Sequence, residues 1–215
     1  MAKKKLERIA AVKTFPNVTH DGAELKGRWH TIFKNGRPMT LELGCGKGDY
    51  TLAMAKQHRD RNYVGVDLKS ARLWVAASRA MQKSLQNVFF IRANALDLEE
   101  IFAPDDIAEI WITFPDPYPQ KPRKRMTAAR YLDVYKKICR PDARINVKTD
   151  DDAFYEFSLA TIADYGCTIH QKIASVHADE TAEELKILTF YEERHIAAGR
   201  SIKYIQFSLP QEDDA

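Results

Sequence analysis

Cysteine is scarce in this chain of 215 residues: Cys45, Cys139 and Cys167 stand far apart and without CxxC spacing. That excludes a zinc framework and matches a reducing, cytosolic compartment in which thiols stay free and mostly buried. The six histidines show no ligand spacing, so no metal is expected. No apolar run approaches a membrane span, and the basic start, Met1-Ala2-Lys3-Lys4-Lys5, lacks the apolar core of a signal peptide, so no membrane partner is expected. The length suits one large α/β domain and falls short of two. We expect a flexible basic segment over 1–20, a single domain over 21–210 and an acidic tail over 211–215.

Glycine is sparse too, nine in all, yet three of them fall within five residues in Leu41-Glu42-Leu43-Gly44-Cys45-Gly46-Lys47-Gly48-Asp49. An apolar strand end runs into this turn, and a helix over roughly Asp49–His58 follows it. Strand, glycine turn and helix let backbone approach a ligand where no Cβ intervenes. The spacing is G-x-G-x-G rather than the dinucleotide G-x-G-x-x-G, and Glu42 would repel a pyrophosphate. A carboxylate there suits a ligand bearing positive charge, the pattern of S-adenosylmethionine sites. The competing reading is a tight turn with no ligand.

Further strands are read at Tyr63–Val66, Val88–Ile91, Ile110–Phe114 and Arg144–Lys148, with late strands at Thr168–Val176 and Tyr204–Leu209. Helices are read at Lys69–Leu85, with Met81 on its apolar face, at Thr127–Cys139, with Thr127 as N-cap and Pro141 as its stop, and at Ala153–Tyr165. The alternation predicts a Rossmann-like, doubly wound, mostly parallel α/β sheet with an antiparallel edge strand. Ligands of such sheets bind past the carboxyl ends of the strands, and polar residues stand at each of them. Asp67 is placed for ribose hydroxyls, or caps a loop. Asn94 can meet an adenine edge, or simply make a turn. Asp116 sits between Pro115 and Pro117, which narrow the directions its side chain can take. Asp150, in Thr149-Asp150-Asp151-Asp152, competes with its neighbours as a helix N-cap. Thr189-Phe190-Tyr191-Glu192 offers a hydroxyl and a carboxylate, or a plain capping pair.

Net charge is only +3, but between Lys121 and Arg144 nine basic residues face two acidic ones. Lys121, Arg123, Lys124 and Arg125 follow Asp116 directly. Such a local field suggests a polyanion, although a solvated face is the usual fate of a charge run.

Leu41 to Gly48, Phe114-Pro115-Asp116-Pro117-Tyr118-Pro119, Lys148-Thr149-Asp150 and Thr189-Phe190-Tyr191-Glu192 occur in that order. Together they resemble the bacterial tRNA (guanine-N7-)-methyltransferases of the TrmB type, over about Leu25 to Leu209. The glycine motif is common to many methyltransferases, whereas the proline-rich loop with its basic trail is specific.

The resemblance implies class I methyl transfer from S-adenosylmethionine to N7 of a guanine in the tRNA variable loop, guanine 46. It implies Glu42, Gly44, Gly46, Gly48, Asp67, Asn94 and Asp116 at the cofactor, with Asp116 also catalytic. Gln120, Asp150, Thr189, Phe190, Tyr191 and Glu192 would hold the substrate, and Lys121, Arg123, Lys124 and Arg125 would contact tRNA. The chain departs from the family at Asp67 (usually Glu), Gln120 (usually Lys), Tyr118 (more often Trp) and Pro122, which interrupts the basic loop. Monomer and homodimer both remain open. The alternative is a methyltransferase acting on another RNA, a protein or a small molecule.

Overall fold

Strand residues in this chain alternate between two apolar clusters, and that alternation sets the architecture. The computed structural model describes residues 2–178 and 181–211, with side chains from residue 7 onward. In chain order it contains α1 (Ala2–Ala11), β1 (Val18–Thr19), α2 (Trp29–Phe33), β2 (Met39–Leu43), α3 (Asp49–Gln57), β3 (Asn62–Val66) and α4 (Ser70–Gln82). These are followed by β4 (Val88–Ile91), β5 (Ile107–Thr113), α5 (Ala129–Ile138), β6 (Cys139–Thr149), α6 (Asp152–Asp164), β7 (Thr168–Ile173), α7 (Phe190–Ala197) and β8 (Lys203–Ser208).

The eight strands form one sheet in the order β1-β4-β3-β2-β5-β6-β8-β7. The first six are parallel to one another, and β8 runs antiparallel to both β6 and β7. Leu41, Val64, Phe89 and Ile110 turn to a cluster that also holds Leu132, Tyr135 and Phe154 of α5 and α6. Tyr63, Phe90 and Trp111 turn to the opposite cluster, with Tyr50, Leu73 and Ala80 of α3 and α4. Helices therefore cover both faces, as the doubly wound reading requires. Strand order reverses between β2 and β5, which opens a crevice at their carboxyl ends.

Three local readings are corrected, those at Met81, Thr127 and Pro141. Met81 is exposed, because α4 turns Ala76 to the core in its place. Thr127 does not cap α5: Ala128 occupies that position, and the Thr127 hydroxyl is buried against Ser158 Oγ at 2.8 Å. Pro141 lies within the start of β6 rather than stopping a helix, which has already ended at Ile138. Residues 1–20 carry α1, where the Arg8 guanidinium stands 4.7 Å from the Trp74 ring of α4, and β1, a two-residue strand on β4. Of the acidic tail only Gln211 lies among the described residues. Among those residues no helix is long and apolar enough to cross a membrane, and no cluster of His, Cys, Asp or Glu could hold a metal ion.

Candidate active site

The crevice at the strand reversal holds a cavity of about 360 Å³. Its lining comes from the turn after β2 (Gly44, Gly46, Lys47), the loop after β5 (Phe114, Pro115, Asp116), the end of β6 (Asp150) and the start of α7 (Thr189, Phe190, Tyr191). Four separate motifs of the sequence thus meet in one place.

Gly44 and Gly46 adopt φ of +72° and +57°, the left-handed region that favours glycine, and a Cβ added to either would meet little protein. Their backbone is therefore open to a ligand. Gly48 differs: it stands away from the cavity, and an added Cβ would come within 2.9 Å of Ala76 Cβ, so its role is close packing of the turn on α4.

Glu42 lines the cavity, yet both its oxygens are engaged. One accepts the Thr51 amide at 2.9 Å and the Thr51 hydroxyl; the other accepts the Thr113 hydroxyl at 2.8 Å. Burial raises its pKa to about 7, with the hydrogen bonds from Thr51 and Thr113 opposing the rise. Asp67 is buried behind the turn, where Oδ2 accepts Gly46 N–H at 3.0 Å and Oδ1 accepts Lys69 N–H at 2.7 Å. Arg72 approaches it at 3.6 Å. Asp67 thus shapes the glycine turn and does not border the cavity. Asn94 is exposed and apart from the cavity, accepting Leu96 N–H in a local turn.

Asp116 is exposed on a constrained loop. Phe114 and Tyr118, on either side, have φ of +50° and +40°, a conformation that costs a bulky residue energy and marks functional loops. The loop is tied down by Phe114 N–H donating to Lys148 O at 2.9 Å and by Arg125 Nε donating to Pro117 O at 2.8 Å. Burial, and then the nearby charge of Asp116, raises the pKa of the Tyr118 hydroxyl.

The basic trail divides. Lys121, Arg123 and Lys124 are exposed, as is Gln120, and all four stand outside the cavity. Arg125 is buried: it bonds Pro117 O and Ala153 O and lies over the Phe157 ring at 4.6 Å, bracing the Asp116 loop against α6.

The three consecutive aspartates separate as well. Asp151 caps α6, accepting Phe154 N–H at 2.7 Å. Asp150 faces the cavity, its Oδ2 receiving His195 Nδ1 at 3.1 Å and Arg200 at 2.5 Å. The His195 ring stacks on Phe114, 5.8 Å between centroids.

In the late motif, Thr189 caps α7 by accepting Glu192 N–H at 3.1 Å, and Phe190 and Tyr191 are exposed at the cavity rim. Glu192 points away from the cavity into the protein. It is fully buried and meets Lys148 Nζ at 2.8 Å and His177 Nε2 at 2.9 Å. Lys148 also donates to Leu185 O at 2.9 Å; burial lowers its pKa, opposed by Glu192. The lysine of Lys148-Thr149-Asp150 and the glutamate of Thr189-Phe190-Tyr191-Glu192 are one buried ion pair. Sequence reasoning missed Thr51, Thr113, His195 and Arg200, for which no motif offered a signal. It quoted Lys148 within a motif and assigned it no partner.

A family model described as "Putative methyltransferase" matches residues 36–205. A tRNA (guanine-N(7)-)-methyltransferase of Porphyromonas gingivalis is 38% identical, over 94% of this chain and 88% of its own length. One from Geobacillus thermodenitrificans is 35% identical, over 91% and 90%. Among solved structures, the 16S rRNA methyltransferase KamB superposes with a TM-score of 0.68 at 16% identity, covering 90% of this chain and 95% of that one, a likeness of fold.

Proposed function

Since the chain belongs to the family of tRNA (guanine-N(7)-)-methyltransferases, we propose that it methylates N7 of guanine 46 in the tRNA variable loop. It is an S-adenosylmethionine-dependent enzyme, and its partner is tRNA, met in the cytoplasm. The observation that carries the reading is the meeting of glycine turn, Asp116 and Asp150 around one cavity. That cavity suits the methyl donor: Gly44 and Gly46 offer it backbone free of Cβ, and the Glu42 carboxyl can ionise against its positive charge. When bound, S-adenosylmethionine supplies an electrophilic methyl group without a metal.

Guanine N7 is a lone-pair acceptor on the major-groove edge and needs no deprotonation before it attacks. The protein's tasks are alignment, worth roughly 7–11 kcal/mol in favourable cases, and care of the positive charge that the guanine ring gains. Asp116 serves the second task, its carboxylate fixed by a loop that Arg125 braces. Asp150, with Oδ2 taken by His195 and Arg200, presents Oδ1 to the N1–H and N2–H donors of the base. Phe190 and Tyr191 flank a base drawn out of its stack. The exposed Lys121, Arg123 and Lys124 contact the tRNA backbone, and Asp67 serves the donor site indirectly, by holding the glycine turn through Gly46 N–H.

Mass spectrometry of tRNA treated with the protein and methyl-labelled donor tests this reading. We expect 7-methylguanosine at position 46; a methyl on another atom, or tRNA left unmethylated, overturns it.

A further inference from the structure

Phe190 borders two cavities. One is the active site; the other, about 550 Å³, lies between α3, α4 and the start of α7. The second is lined by Lys56, Gln57, Arg79 and Lys83 together with Leu188 and the Phe190 ring. Phe190 is 55% exposed and Leu188 47%, a large apolar surface to leave in water. Two cations approach the Phe190 ring, Lys47 Nζ and Arg194 Cζ, each 5.7 Å from its centroid. Lys56 and Lys83 are exposed and make no ion pair among the described residues. Of the two carboxylates at the groove, Asp49 is held by Arg79, leaving Glu193 against the lysines.

We propose that this groove carries the single-stranded RNA leading away from the target guanine, with the next base stacked on Phe190 and its phosphates over Lys56 and Lys83. The proposal rests on the tRNA reading above and extends it to a surface that shares Phe190 with the active-site cavity. An exposed aromatic ring beside unpaired lysines is the composition of a single-strand track: rings stack any base, and lysines follow the backbone. An apolar protein partner would leave the two lysines without anions. The Phe190 ring, continuous with the active site, supplies the turning point at which an extruded base and its stacked neighbour part.

The test measures tRNA binding by fluorescence anisotropy across salt concentrations, alongside methyl transfer. For Lys56→Gln/Lys83→Gln we expect affinity to fall roughly tenfold at moderate salt and the log–log salt slope to shrink by about 1.4, close to 0.7 per lost phosphate contact. Donor affinity and turnover at saturating tRNA should stay as they are. Phe190→Ala should weaken binding roughly tenfold with the slope unchanged, and Phe190→Trp should restore it. Unchanged affinity and slope in the double variant overturn the track and assign the groove to another partner. A fall in affinity with an unchanged slope also overturns it, since phosphates are then not what the lysines meet. Failure of the unsubstituted protein to methylate tRNA is a separate result that removes the functional reading, while the binding slopes still judge the groove.

Discussion

Glu42, in the glycine-turn motif, and Glu192, in the α7 motif, are both buried beside the active site, and the protein holds them in opposite ways. Glu42 is surrounded by hydroxyls and one amide, neutral donors that leave its carboxyl titratable near pH 7. Glu192 is held by a lysine that is itself fully buried, and it anchors α7 to β6. The difference separates two jobs. A carboxyl held by neutral donors can change charge when a cation arrives; a carboxylate paired with a buried lysine ties two elements together.

The largest test of that contrast is Lys148→Ala, which should cost about 3–5 kcal/mol in chemical denaturation because it takes from the buried Glu192 its lysine and leaves it only the half-buried His177. The apolar pair Lys148→Met with Glu192→Leu should regain most of the loss. A double variant no better than the single one would show that the charges themselves are needed.

Next comes pH. The folded pKa of Glu42, about 7, lies above its ordinary value of 4.5, so its contribution is complete below pH 4.5 and is lost as pH rises through 7. The wild type should therefore lose roughly 3 kcal/mol more than Glu42→Gln across that window, read as the difference between their unfolding curves.

Cofactor binding should follow with the opposite sign. A cationic ligand favours ionised Glu42, so donor affinity should rise by up to about tenfold as pH passes 7, and calorimetry should find the rise missing in Glu42→Gln. The smallest effect separates adjacent acids. Asp151→Ala should lower stability by about 1 kcal/mol through the lost cap while retaining methyl transfer. Asp150→Ala should do the reverse, with transfer lost and a lesser change in stability.

What was legible in the sequence is what short-range physics controls. Apolar runs between polar ends gave the parallel strands, and three glycines after one of them gave the turn, since backbone shape there depends on the residues themselves. Contacts across the chain were not legible. Spacing alone put Met81 on the buried face, because it cannot tell which small residue the neighbouring strand admits. Thr127 had the chemistry of a cap, but its hydroxyl is used by Ser158, thirty-one residues onward. The aspartate run announced one cap and one site residue without saying which was which. Arg125 carried the same charge as its neighbours, and only contacts across the chain, to the Pro117 and Ala153 carbonyls and the Phe157 ring, distinguish it. Glu192 matched a substrate motif whose carboxylate is consumed by a lysine forty-four positions earlier.

The place of β8 between β6 and β7 imposes an order in time. The strand at the edge is made before the strand it must pair with, so β7 has no partner in the sheet until residues 203–208 arrive. The glycine turn also waits for later residues, Val66, Asp67 and Ala76, but all of these are made before β7 begins. A growing chain can thus complete the glycine-turn side of the cavity well before α7 is drawn against Lys148. The side of the cavity lined by α7 is the last to form, and a chain stopped short of β8 would lack the support for it.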